Sequence, residues 1–337
     1  MQSVLITGGA GFIGSNLIMH MLENHPQYRV INLDKLTYAG NPDNLENVRN
    51  HDRYHFVQAD ICNKELVQYL FDLFDIRGVV HLAAESHVDK SISGPEVFVQ
   101  SNVVGTFTLV NAAYRHWMQA PFECRQGYES CRFLHVSTDE VYGSLGETGL
   151  FSENPPYAPN SPYSASKASS DMLVRSYQHT YGMQTLITNC SNNYGPRQHD
   201  EKLIPTIIRN ALRDRPIPIY GDGKNVRDWL YVMDHCRGID RVFHSGRSGH
   251  TYNIGGQNEW ENLSIARLIC TVLDSKKPRS DGKSYQDQIS FVPDRPGHDL
   301  RYAIDARKIE SELGWRAWES FESGMEKTVD WYTERYL

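Results

Sequence analysis

A parallel, doubly wound α/β sheet is the fold class this sequence predicts, with a smaller mixed α/β lobe toward the C-terminal end. Three observations carry the prediction. Short apolar runs recur through the first 190 residues, helical patterns fill the gaps between them, and a glycine cluster ends the first run and opens the first helix. At roughly 150 residues per domain, 337 residues make about two domains.

Val4-Leu5-Ile6 reads as the first strand, and Leu17, Ile18, Met21 and Leu22 mark one face of the helix after it. Arg29–Asp34 and Tyr54–Val57 read as the second and third strands, with a helix around 63–75. Gly78–Leu82 is a fourth strand before a helix near 95–118, and Arg132–Ser137 is a fifth. Residues 162–181 form a long helix with proline in its first turn, and Thr185–Thr188 is a sixth strand. Past residue 195 the rhythm loosens, and 195–205, 214–230 and 275–300 are rich in proline, glycine and charge. The expected division is therefore 1–190, joined by returning segments near 231–254, and a second lobe over 191–337. Trp229, Trp260, Trp315, Trp318 and Trp331 read as packing residues of that lobe.

Apolar residues make up 40% and charged residues 22%, an ordinary globular composition. The 34 Lys and Arg against 41 Asp and Glu give −7, with no basic block, which argues against nucleic acid or an anionic membrane as partner. The six cysteines form no CxxC pair, the fourteen histidines show no paired ligand spacing, and no metal site is expected. Residues 2–22 carry no charge, but no positive region precedes them and Gly8, Gly9, Gly11 and Gly14 interrupt them. The expectation is a soluble cytoplasmic protein with buried thiols.

The run Gly8-Gly9-Ala10-Gly11-Phe12-Ile13-Gly14 lies between a strand and a helix. Such glycines let backbone N–H groups reach a pyrophosphate at a helix N-terminus, where the helix dipole favours negative charge. Asp34 ends the next strand, twenty residues after Gly14, where a carboxylate accepts hydrogen bonds from an adenosine ribose and repels a 2′-phosphate. Together they predict a Rossmann fold that binds NAD rather than NADP. Tyr163 and Lys167 stand at i and i+4 on the long helix and so share a face. A phenol has a pKa near 10, too high for a base at neutral pH, and a neighbouring ammonium is expected to lower it.

Gly8–Gly14, Tyr163–Lys167 and the length resemble the extended short-chain dehydrogenase/reductase family. Ser137-Thr138-Asp139-Glu140-Val141-Tyr142-Gly143 is similar to the signature of its nucleotide-sugar 4,6-dehydratases. So are His81–Asp89, Asn192–Pro196, Asp294–His298 and Asp34–Asn41, and the likeness runs from residue 3 to about 332. It implies a lyase that uses NAD and acts on a nucleotide sugar, dTDP-glucose in the nearest match. Dehydratases of UDP-glucose or UDP-GlcNAc, a nucleotide-sugar 4-epimerase and a non-catalytic NAD sensor are the alternatives.

Epimerases of the family only oxidise C4 and reduce it again, whereas a dehydratase must also remove a C5 proton and expel the C6 hydroxyl. That needs an acid and a base in different protonation states. The resemblance assigns Asp139 as the acid, Glu140 as the base, Thr138 as partner of the C4 oxygen, Tyr163 as the C4-hydroxyl base and Lys167 as its support. Around the cofactor it implies Lys35, Leu36, Thr37, Asp60, Ile61, Leu82, Ala83, Ala84, Ser86, Ser101 and Asn193 beside the glycine loop. Around the substrate it implies Ser86, Asn192, Glu201, Lys202, Leu203, Pro218, Tyr220, Arg227, Asn262, Asp294, Arg295 and His298. Arg227 and Arg295 are the expected diphosphate ligands. Family members are commonly homodimers through the helices near 96–117 and 162–181, for which Leu109, Val110, Tyr114 and Trp117 offer apolar contacts.

Overall fold

The computed structural model describes residues 1–294 and 301–337. In chain order, β1 (Gln2–Thr7) leads into α1 (Phe12–Asn24), β2 (Tyr28–Asp34), β3 (Tyr54–Gln58), α2 (Lys64–Phe74) and β4 (Ile76–His81). Next come α3 (Gly105–Trp117), β5 (Arg132–Thr138), α4 (Pro162–Tyr181), β6 (Thr185–Cys190) and β7 (Asn192–Tyr194). Then follow α5 (Leu203–Leu212), β8 (Ile217–Tyr220), β9 (Val226–Tyr231), α6 (Val232–Ser245), β10 (Thr251–Ile254) and β11 (Glu259–Glu261). The chain closes with α7 (Asn262–Lys276), β12 (Ile289–Val292), β13 (Arg301–Tyr302) and α8 (Phe321–Tyr336).

Seven strands form one parallel sheet in the order β10-β6-β5-β4-β1-β2-β3. Alternation along each strand supplies both faces. Val4 and Ile6 pack with Leu17, Ile18, Ile239 and Val242 on the side of α1 and α6. Leu5 packs with Phe71, Leu109, Val110, Phe133 and Val174 on the side of α2, α3 and α4. The chain runs from β1 outward to β3, then returns to place β4 on the other side of β1. Helices therefore diverge at the carboxyl ends of β1 and β4, which is where such sheets open a crevice. The segment 231–254 supplies α6 and the edge strand β10 to this sheet.

A second body packs α5, α7 and α8 around Ile204, Ile208, Ile265, Ile269, Met325 and Tyr332. Its strands β11, β9 and β13 pair side by side, and β7 also pairs with β9. Of the tryptophans assigned to it, Trp229 is a member and Trp260 and Trp331 pack against it. Two depart from that reading: Trp315 is buried against the main sheet beside Ile239 and Ile309, and Trp318 is 76% exposed, with Arg237 over its ring. Apolar character alone does not say which core a side chain joins. Leu109, Val110 and Trp117 are likewise interior residues and cannot be surface contacts. On α3 and α4 the exposed apolar side chains are Phe107 and Met172 instead.

The expected helix near 95–118 is interrupted. A short turn at Pro95–Phe98 runs through a π-helical stretch, Val99–Val104, before α3. By contrast α4 begins as its sequence dictates, with Pro162 in the first position and Ser161 capping it. Ser161 Oγ accepts from the Ser164 amide at 3.1 Å, and Ser164 Oγ accepts from the Ser161 amide at 3.0 Å. Ser161→Ala is expected to cost about 1 kcal/mol of stability, read as a lower urea midpoint with unchanged m.

Candidate active site

One cleft lies over the carboxyl ends of β1, β4 and β5. Among its lining residues are Gly8, Gly11, Phe12, Ile13, Gly14, Asp34, Lys35, Thr37, Asp60, Ile61, Leu82, Ala83, Ala84, Ser86, Ser101 and Asn193. Thr138, Asp139, Glu140, Tyr163 and Lys167 line it too, as do Asn192, Glu201 and Lys202. Residues from positions 8 to 202 thus converge on one space.

The glycine loop is shaped by contact. Gly8 has φ +70°, and a Cβ there would sit 2.7 Å from the Ala83 nitrogen. A Cβ on Gly14 would sit 2.3 Å from the Gly8 carbonyl oxygen. No side chain caps α1, whose N-cap is Gly11, so its first amides remain for an anion. Asp34 is held by its own loop: it accepts from the Ala10 amide at 2.9 Å and from the Leu36 amide at 2.8 Å. A carboxylate has about four acceptor sites, so two remain for ribose hydroxyls. Leu36 does not line the cleft; with φ +58° it makes the turn that brings its amide to Asp34. Asp60 is engaged by Lys35 at 2.7 Å and by the Cys62 amide at 2.9 Å. These features fit a dinucleotide.

At the end of β5, Thr138 caps a short turn, Asp139–Tyr142, and its hydroxyl contacts the phenol of Tyr163. Asp139 is 2% exposed, and its Oδ2 has no partner among the described residues. Burial, then the Glu140 and Asp228 carboxylates, hold its pKa well above the usual carboxylate range. Glu140, one residue on, is more exposed. Two adjacent carboxyl groups therefore sit in unlike environments.

The Tyr163–Lys167 pair behaves differently from the expectation. The Lys167 ammonium is directed at the Val136 carbonyl, 2.9 Å away, and at His135 Nε2, 3.3 Å away. Burial first, then Glu140, raise the Tyr163 phenol well above its ordinary value. The Thr138 hydrogen bond lowers it, but burial and Glu140 outweigh that effect. Beneath the lysine, Asp171 accepts from Ser137 Oγ at 3.0 Å and lies 3.3 Å from His135 Nε2. Burial lowers Lys167 to about 8 and raises Asp171 to about 7. Asp171 follows Lys167 by four residues, so helical spacing could have placed it beneath the lysine.

Asn102 had no such signal. The π-helical stretch turns it inward, where it accepts from the Glu85 amide at 2.8 Å and donates to the Glu85 carbonyl at 3.0 Å. It also donates to Ser166 Oγ at 2.8 Å, tying the loop after β4 to the helix that carries Tyr163.

Several expected substrate residues lie elsewhere. Leu203 opens α5, Pro218 and Tyr220 are on β8, and Asn262 opens α7; none of them lines the cleft. The Asn262 amide donates to the Asn225 carbonyl, and Gly221 lies against Asp294, so Tyr220, Asn262 and Asp294 gather around one turn of the second body. Arg227 is buried on β9 with its guanidinium 4.7 Å from the Tyr302 ring centroid. Arg295 and His298 fall outside the described residues. Asn102→Ala strands buried partners of both signs and is expected to cost about 2–3 kcal/mol, checked by urea unfolding. Asn102→Asp, which keeps only the acceptor, should recover part of that loss.

The family model described as GDP-mannose 4,6 dehydratase matches residues 5–328. The dTDP-glucose 4,6-dehydratase of Xanthomonas campestris pv. campestris (strain B100) is 54% identical over 98% of this chain and 93% of its own. The Escherichia coli K12 protein dTDP-glucose 4,6-dehydratase 1 is 52% identical over 98% and 92%. A dTDP-glucose 4,6-dehydratase from Streptomyces venezuelae, solved with NAD bound, superposes with a TM-score of 0.89 at 45% identity, covering 99% of this chain and 97% of that one. A UDP-glucose 4-epimerase from Thermotoga maritima reaches a TM-score of 0.86 at 26% identity over 99% of each chain. The scaffold is thus common to different chemistries, but identity above half along nearly the whole length is not: the chain belongs to the GDP-mannose 4,6 dehydratase family, alongside the dTDP-glucose 4,6-dehydratases.

Proposed function

We propose that the chain converts dTDP-glucose to dTDP-4-dehydro-6-deoxy-glucose, using NAD. The observation that carries this reading is the Asp139–Glu140 pair, one carboxyl buried with its pKa raised and its neighbour more exposed, in the same cleft as Tyr163 and the glycine loop. An epimerase has no use for that pair. The identity to dTDP-glucose 4,6-dehydratases supports the same substrate.

In this reading residues 1–190, with 231–254, hold the cofactor, and 191–337 hold the nucleotide end of the substrate. The α1 amides take the pyrophosphate and Asp34 takes a ribose. A dinucleotide held there would supply the hydride acceptor for C4 and the hydride donor for C6, and its cationic ring would supply the positive charge that favours a phenolate. Tyr163 removes the C4-hydroxyl proton while Thr138 holds that oxygen. Once C4 is a ketone, the C5 proton is acidic and Glu140 removes it. Asp139 gives its proton to the departing C6 hydroxyl, which leaves as water and creates a 5,6-double bond; as C6 receives the hydride, C5 regains a proton from a group that exchanges with water. Lys167 positions the tyrosine, and Asn102 and Asp171 position the helix and the lysine. Arg227 and Arg295 engage the diphosphate.

The exposed Phe107 and Met172 on α3 and α4 suit a homodimer packed through these helices. Among the described residues no helix is long and apolar enough to cross a membrane, and the six cysteines are free, which suits the cytoplasm.

Tyr163→Phe is expected to lower turnover by about 10²–10⁴-fold with substrate still bound, in keeping with loss of a general base. Asp139→Asn and Glu140→Gln should still permit C4 oxidation, so reduced-cofactor absorbance should build up under substrate; its failure to appear in either variant would overturn the division of roles. Substrate deuterated at C4 should give product deuterated at C6 within the same molecule, and reaction in D₂O should place deuterium at C5. Retention of the label at C4 would replace the dehydratase reading with an epimerase.

A further inference from the structure

A cluster remote from the cleft remains unused by this chemistry. At the far end of α1 from the glycine loop, His20 Nε2 lies 2.8 Å from Asp240 Oδ2, and His25 Nε2 lies 2.9 Å from Asp240 Oδ1. The donor atoms of these three residues all lie within 4.8 Å of one another. A third imidazole, His244 Nδ1, is 2.7 Å from Asp240 Oδ1, and its far nitrogen is 2.9 Å from the Tyr28 hydroxyl. One carboxylate thus faces three imidazoles from two helices and the turn after α1.

We propose that His20, His25 and Asp240 form a binding site for a divalent transition-metal ion of the Zn²⁺ class. Two imidazoles and a carboxylate are the donor set such ions take, and an all-oxygen ion such as Mg²⁺ has no reason to prefer it. Ligand bonds of about 2.0–2.2 Å in a tetrahedron put donor atoms about 3.3–3.5 Å apart, so small side-chain rotations close the site. Part of an outer shell is in place. Asn24 Nδ2 is 3.2 Å from His20 Nδ1, and Gln27 Nε2 is 3.4 Å from His25 Nδ1. Turned over, the Gln27 amide accepts from His25 Nδ1–H and leaves Nε2 for the metal, whereas Asn24 Nδ2 is also bonded to the His20 carbonyl at 2.9 Å, so metal binding at His20 Nε2 displaces the Asn24–Nδ1 contact. Tyr28 holds His244, whose Nδ1 meets Asp240 from the other side. The side chains of His20, His25 and Asp240 are 11%, 18% and 17% exposed, enough for an ion to enter and for water to complete the coordination.

The position defines what the ion does. His20 is eight residues into α1 from Phe12, roughly 12 Å along the helix from the cleft, so the ion takes no part in the reaction. It would clamp α1, which carries the pyrophosphate amides, to α6, which returns from the second body. Sequence spacing concealed the site: His20 and His25 are five apart and do not share a helical face. The turn after Asn24 brings them together, and Asp240 comes from 215 residues beyond His25.

The test uses untagged full-length protein stripped with EDTA and titrated with Zn²⁺ by calorimetry and equilibrium dialysis. One Zn²⁺ per chain is expected, with a raised melting temperature and no competition from excess Mg²⁺. His20→Gln and His25→Gln should each weaken binding by about 100-fold or more, and Tyr28→Phe, which removes only a hydroxyl, by about 10-fold. Co²⁺ should show tetrahedral visible absorption that Zn²⁺ displaces. Turnover of nucleotide sugar should be unchanged in these variants, whose folding circular dichroism checks. Absence of binding to the stripped protein, or undiminished binding in both histidine variants, would overturn the proposal. Neither result bears on the dehydratase reading.

Discussion

No carbon atom fits between Gly8 and Ala83. A side chain on Gly8 would reach to 2.7 Å of the Ala83 nitrogen, and the loop after β1 is pressed against the loop after β4 for that reason. This close approach sets the floor of the cleft. It allows α1 to leave in one direction and the Leu82–Ser86 segment in the other, so that uncapped backbone amides rather than side chains face the cleft at the start of α1. Gly14 repeats the constraint one turn later, against the Gly8 carbonyl. The positions of Asp34, of the Asn102 bridge and of the Tyr163 helix are all referred to this floor.

Above the floor the energetic problem is buried charge. Lys167, Asp171 and His135 lie at 4%, 1% and 1% exposure, where a lone ion would be expensive. The structure answers by sharing. Lys167 gives hydrogen bonds to Val136 and His135, Asp171 takes one from Ser137, and the shifts of the lysine downward and the aspartate upward show burial opposing both charges. His135 and His81 are held neutral by the same burial. A fixed polar network beneath Tyr163 keeps its helix in one place without supplying the charge that would ionise the phenol. Asp139 illustrates the other use of burial, in which the pKa of a carboxyl group is raised beside a more exposed carboxylate.

Two irregular features join the sheet to the site. The π-helical turn at Val99–Val104 rotates Asn102 inward, where it bonds the loop after β4 and α4 at once. The excursion of the chain through β7, β9 and α6 stitches the second body to the sheet, since β10 returns as an edge strand beside β6. The cleft is therefore bounded by elements far apart in sequence and held by pairings that the local sequence does not specify.

The sequence by itself determined the repeating units. Strand and helix periodicity placed the six expected strands within a residue or two, the glycines and Asp34 marked residues that line the cleft, and Pro162 with Ser161 marked the start of α4. All of these are local: they depend on backbone conformation, on i to i+4 spacing, or on residues that a tight turn requires. What only the tertiary structure decided was partnership. Leu109, Val110 and Trp117 proved interior although an interface would use the same residues, and Trp315 and Trp318 left the core assigned to them. Lys167 proved to spend its ammonium on Val136 and His135, while burial and Glu140 govern Tyr163. Leu203, Pro218, Tyr220 and Asn262 proved to lie off the cleft, and Asn102 proved to bridge the loop after β4 and α4. Hydrophobicity and charge are properties of a residue, but burial, hydrogen-bond partners and pKa shifts are properties of its neighbours, and those neighbours come from strands and helices that meet only when the chain has folded.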